Sequence, residues 1–176
     1  MSFLAVISSI ELGLIYAVMA LGVFISFRTL NMPDLTVDGS FVLGAAVVAV
    51  YCSGGGNPYL ALFFAFVAGL LAGSVTSLLN TKLGIQPLLA GILVMLALYS
   101  VNLRVMSGKA NIHLMDSASI YHLFADSVLG RYNKLIVALI AIVIVFICLY
   151  LFLQTRLGFA LRATGDNEQM VRAAGI

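Results

Sequence analysis

Apolar positions run along the chain in five long blocks, near Phe3–Phe27, Leu30–Cys52, Tyr59–Asn80, Leu88–Val105 and Leu135–Leu153, with polar residues gathered between them. Each block has the length of a bilayer-spanning helix, roughly 17–25 residues. In lipid every backbone N–H and C=O must be satisfied within its own segment, so blocks of this length are helices. The pattern therefore predicts an all-α fold, a polytopic transmembrane helical bundle of about five spans. The first block opens Met1-Ser2-Phe3 with no basic residue ahead of it, and it outruns the apolar core of a signal peptide, about 7–15 residues. It reads as a retained span, with Glu11 facing either the bundle interior or the interface.

The second block departs from the others. The stretch "RTLNMPDLTVDGSF" puts Asn31, Pro33, Asp34, Asp38, Gly39 and Ser40 at its start. Proline has no amide hydrogen to give a helix, and carboxylates at membrane depth each cost about 3 kcal/mol on insertion scales. A broken or re-entrant element is expected near residues 30–51, of the kind that lines substrate paths in transporters. The alternative is an ordinary cytoplasmic loop followed by a short tilted helix. In the third block Ala65, Gly69, Gly73 and Ser77 recur at every fourth position, a small-residue ridge on which another helix can pack closely. The link "NTKLGIQP" offers Gly84 for a turn and Pro87 as a first helical residue, making the third and fourth helices antiparallel neighbours. The longer link, Met106 to Lys134, carries Ile120, Leu123, Phe124 and Val128 on one helical face, the pattern of an amphipathic helix in the interface.

Composition agrees with the pattern. The chain is 62% hydrophobic and 9% charged, against about 25% charged for soluble domains, and its mean hydropathy is +1.14. A net charge of +2 from singly scattered basic residues points away from nucleic acid and from a polybasic lipid patch. Cys52 and Cys148 have no CxxC partner, and His113 and His122 lack neighbours at metal-ligand spacing, so neither a disulfide framework nor a metal or other cofactor is expected. "SGGGNP" lacks the Gly-Lys-Ser/Thr ending of a phosphate-binding loop. Ser40 has no Gly-x-Ser-x-Gly setting and both histidines lie outside the spans, which disfavours an intramembrane hydrolase.

The tail is polar again. In "TGDNEQMVRAAGI", Asp166 is placed to cap a short helix with Gln169 three residues on, and Gly175 to stop it. So short a helix lasts poorly alone in water, so it is expected to pack on its own bundle or on another protein. The stretch "GFALRATGDNEQMVRAAGI" closely resembles the coupling-helix region of ABC importer permeases of the branched-chain amino acid and ribose type. The family's Gly-x-x-x-Arg-Ala-x-Gly pattern and its following helix fall on Gly158, Arg162, Ala163, Thr164, Gly165, Asp166, Asn167, Glu168, Ala173, Ala174 and Gly175. "LNMPDLTVDGSFVLGA" is similar to the family's second membrane segment, and "LLAGILVMLALYSVNLRVMSGKANIHL" resembles its uncharacterised and tryptophan-type subgroup.

The resemblance implies a type II importer fold: residues 1–176 as one transmembrane permease domain, with 156–176 as a cytoplasmic coupling region that docks on a separate ATP-binding subunit. It implies a second permease copy, an extracytoplasmic solute-binding protein and the lipid bilayer of a prokaryotic cell membrane as partners. The solute would be an amino acid, of the aromatic kind, and ATP hydrolysis would belong to the partner rather than to this chain. Members of the family continue with further spans, so residues 1–176 would form the N-terminal part of a longer permease, the alternative being a half-permease. Candidates for the translocation path are Asn31, Asp34, Asp38 and Ser40. Asn80, Gln86 and Asn102 are further candidates that read equally as helix caps or interhelical hydrogen-bond partners. A cytoplasmic tail after five spans puts the N-terminus and the Met106–Lys134 link outside; a re-entrant second span would put the N-terminus inside. The rival class is half of an ion-coupled secondary transporter or channel, which also uses broken helices with midplane acids.

Overall fold

A computed structural model of the chain describes residues 3–109, 111–112 and 133–173. Helix α1 spans Phe3–Phe24 and runs on into a π-helical turn, Ile25–Thr29; α2 is Thr36–Ser53, α3 Pro58–Leu83, α4 Pro87–Val105, α5 Asn133–Leu153, α6 Arg156–Asp166 and α7 Glu168–Ala173. The described residues are helical apart from turns and short links, and five of the helices are long and apolar enough to cross a membrane. The fold is the expected all-α bundle. The amphipathic helix anticipated around Ile120–Val128, both histidines, and Ala174 and Gly175 lie outside the described residues.

The chain forms two compact units, one of residues 1–32 and 124–176, the other of 33–123. In the second, α2, α3 and α4 pack on one another. Their core is Leu43, Ala72, Val94 and Leu98, backed by Val47, Ala68 and Leu79. Helix ends follow from local chemistry. Asn57 Oδ1 accepts from the Tyr59 amide at 3.0 Å ahead of Pro58, so α3 begins there. Gly84 closes it in the left-handed conformation, φ 65°, and Pro87 opens α4 as anticipated. One buried bond crosses the layer, between the hydroxyls of Thr36 and Thr76 at 2.8 Å.

Two expectations change in detail. The break lies ahead of α2 rather than inside it, and α2 is one continuous 18-residue helix. Asn31 at φ 54° and Pro33 interrupt the backbone before Thr36, after which nothing in the sequence opposes a helix. The small-residue ridge of α3 is also not the face turned toward α2 and α4. Ala65 meets the position of a Gly44 Cβ at 3.9 Å, but a Cβ at Gly69 or Gly73 would have no neighbour within 4 Å. The packed stripe is Ala61, Ala72 and Thr76, all buried.

In the first unit α1 packs along α5, and α6 lies against both the end of α5 and the π-turn. Large side chains on the long helices face outward, Phe66 and Phe146 at 66% and 57% exposure among them. A soluble protein would hide such a surface, whereas lipid solvates it.

Candidate functional site

The polar tail is built by capping and close approach. Thr155, in extended backbone, accepts from the Gly158 amide at 3.3 Å and donates to the Phe152 carbonyl at 2.6 Å, which starts α6 directly after α5. A Cβ on Gly158 would stand 2.5 Å from Leu153 Cα and from the Phe152 oxygen, so only glycine allows α6 to fold back over the last turn of α5. Seven residues on, a Cβ on Gly165 would collide with the Thr29 carbonyl of the π-turn. Positions seven apart share a helix face. The face of α6 that carries both glycines therefore meets the protein's own backbone.

Away from these two contacts much of the tail is open. Leu157, Phe159 and Met170 are 68%, 59% and 71% exposed, and Arg162, Ala163, Asp166, Asn167 and Ala173 are exposed as well. Thr164 is half-buried and donates back to the Ala160 carbonyl at 2.8 Å. Asp166 is not the cap it was expected to be. Helix α6 continues through it, and the residue in extended backbone is Asn167, φ −158°, whose Oδ1 accepts from the Met170 amide at 3.1 Å. An N-cap side chain must leave the helical path to reach back, which Asn167 does and Asp166, inside α6, does not. The helix following Asn167 begins at Glu168.

The other candidates divide by position. Asn31 is exposed, just beyond the π-turn. In the second unit, Asp34 Oδ1 accepts from the Thr36 amide at 2.8 Å and so opens α2; Asp38 is exposed in the first turn, where the helix dipole favours its charge. Ser40 donates to the Val37 carbonyl at 3.0 Å. Gly91 is buried on α4, and a Cβ there would lie 2.8 Å from both Asp34 Oδ1 and the Leu35 amide nitrogen. Asn80 Nδ2 donates to the Ile85 carbonyl at 3.1 Å and ties the α3–α4 link, where exposed Gln86 precedes α4. These groups stand where α2 and α4 begin and α3 ends. Asn102 stands apart in the last turn of α4, and its buried Oδ1 has no hydrogen-bond partner among the described residues. Among the described residues no group of three His, Cys, Asp or Glu could hold a metal. Thr29, Thr36, Thr76 and Gly91 went unnoticed in the sequence, because a hydropathy pattern treats a threonine or glycine in an apolar run as neutral filling.

The comparisons with known proteins bear on both regions. The family described as branched-chain amino acid transport system, permease component, matches residues 5–176. The chain belongs to this permease family. A tyrosine transport system permease protein of Clostridioides difficile is 44% identical over 171 residues, 97% of this chain and 55% of the relative. A probable branched-chain amino acid transport permease protein, LivH, of Methanocaldococcus jannaschii is 30% identical, over 90% of this chain and 53% of the relative. The ribose import permease protein RbsC of Escherichia coli is 29% identical, over 91% and 49%. The chain thus spans about half the length of the curated relatives it matches. No solved structure matches this permease-family chain.

Proposed function

We propose that the chain is part of the membrane-spanning permease subunit of an ATP-driven importer in a prokaryotic cell membrane. The observation that carries the reading is the family match, which extends over residues 5–176 and so takes in α6 and α7. The 44% identity to a tyrosine permease favours an amino acid, of the aromatic kind, as solute.

In this reading α6 and α7 form the coupling region. The exposed apolar side chains Leu157, Phe159 and Met170, with Arg162 beside them, are what an ATP-binding subunit would cover. Burying apolar surface supplies the attraction and the charged neighbour sets the register. ATP hydrolysis belongs to that partner, and the permease itself performs no covalent chemistry. With the tail cytoplasmic, five crossings put the N-terminus outside and the start of α2, with Asp34, Asp38 and Ser40, on the cytoplasmic side. These groups then act where the path opens inward, and a second permease copy and an external solute-binding protein complete the route. Gly69, Gly73 and Ser77, free on α3, accept a neighbouring helix of the assembled permease.

The test is affinity purification of the tagged permease from native membranes, comparing the intact tail with a deletion after Gln154. An ATP-binding subunit retained only by the intact tail, together with vanadate-sensitive uptake in vesicles, is the expected result. Uptake that an ionophore abolishes and ATP depletion leaves intact would replace the reading with an ion-coupled transporter.

A further inference from the structure

We propose that the π-turn Ile25–Thr29, seated through the Thr29 carbonyl on Gly165, is the joint through which α6 moves α1, with Gly165 as its positioning residue. The proposal rests on the reading of α6 as the coupling helix. It adds a route by which movement of that helix enters the bundle.

Three separate features meet at this point. The first is the π-turn, in which the Leu30 amide bonds the Ile25 carbonyl at 3.0 Å, one residue further back than an α-helix requires. Such turns hold one surplus residue in the ladder and are frequent at functional positions. The second is the glycine. Gly is the poorest helix former after Pro, yet it occupies α6 where any Cβ would strike the Thr29 carbonyl. Thr29 itself is buried at 8% exposure. The third is the lock beyond the turn: the Met32 amide bonds the Ser26 carbonyl at 3.1 Å, the Ser26 hydroxyl donates to the Met32 carbonyl at 2.8 Å, and Asn31 sits at φ 54°.

The geometry gives the joint a lever. Gly158 fixes one end of α6 on the last turn of α5, and Gly165 bears on the π-turn about 10 Å away, at about 1.5 Å of rise per residue. A pivot of roughly 10° about Gly158 therefore shifts Gly165 by about 2 Å, more than the rise of one residue. A displacement of that size is enough to pass the surplus residue along the α1 ladder. The turn can thus exchange one hydrogen-bond register for the next without unfolding. A rigid α-helical end would store the same push as strain.

The experiment uses the native permease purified with its ATP-binding subunit and reconstituted in vesicles, in wild-type form and as Gly165→Ala, Gly13→Ala and a deletion of Phe27. Gly13 is in α1 with open space where a Cβ would go, so its alanine variant is the control. Phe27 is exposed within the π-turn, and removing it closes the turn to an α-turn while the flanking residues keep their register. Gly165→Ala is expected to retain the ATP-binding subunit yet lose uptake by roughly tenfold or more, with Gly13→Ala within about twofold of wild type. The Phe27 deletion is expected to keep its thermal midpoint and lose uptake similarly. Uptake by folded Gly165→Ala within about twofold of wild type overturns the joint; if that variant does not fold, the same result from the Phe27 deletion overturns it. A wild-type permease that retains no ATP-binding subunit overturns the importer reading itself, and the joint with it.

Discussion

Replacing the two threonines that join α2 to α3 tests how the helical layer is held together. Thr36 and Thr76 are 2% and 7% exposed, with their hydroxyl oxygens 2.8 Å apart. The Thr76 hydroxyl also lies 3.3 Å from the Ala72 carbonyl one turn back, so its proton has a second acceptor. Valine matches threonine in shape, and each replacement removes a hydroxyl without opening a cavity. Thr36→Val leaves Thr76 bonded to Ala72 and should cost the net value of one hydrogen bond, about 0.5–1.5 kcal/mol. Thr76→Val strands the buried Thr36 hydroxyl, which adds its desolvation penalty and brings the loss to about 1–3 kcal/mol. The double variant strands nothing and should be no less stable than Thr76→Val alone. Unfolding in mixed micelles with increasing sodium dodecyl sulfate, followed by circular dichroism, gives the free energies for the cycle. Equal single losses that add within about 0.3 kcal/mol would refute the assignment of a coupled buried bond.

Other substitutions probe individual geometries by the same assay. Asn31→Gly should be neutral or stabilising, because glycine accepts φ 54° freely, whereas Asn31→Val should lose about 1–2 kcal/mol to the left-handed backbone. Asn102→Leu should raise stability by about 1 kcal/mol, since it removes a buried oxygen that has no partner among the described residues; a loss of more than about 1 kcal/mol would mean that the amide is satisfied. Gly158→Ala should destabilise by about 1–3 kcal/mol through contact with the α5 backbone, and an unchanged midpoint would contradict the tight α5–α6 turn.

Hydropathy alone located the spans, because lipid demands long uninterrupted apolar helices and the sequence meets that demand five times. It could not locate the break ahead of α2 to the residue. Leu30–Leu35 and the start of α2 mix the same residue types, and only the backbone of Asn31 and Pro33 tells the link from the helix. The ridge on α3 shows a different limit. Small residues at every fourth position state what a face can do, while the neighbours decide which face is used, and here α2 and α4 take the stripe of Ala61, Ala72 and Thr76. In the tail the capping signal was present but assigned one residue early, since Asp166 and Asn167 are both good caps and the end of α6 selects between them. The π-turn left no trace in the pattern, because one surplus residue does not disturb an apolar run.

Asn167 has a consequence for how such a chain can vary over time. Its amide ends α6 by bonding the Ala163 carbonyl at 2.9 Å, and its side chain opens the next helix. One residue thus sets the corner between the helix braced on the bundle and the short helix that follows it. A substitution there would re-aim Met170 and its neighbours while every contact inside the spans stayed as it was. Natural selection could in this way refit the exposed surface of the tail and leave the packing of the membrane-spanning helices untouched.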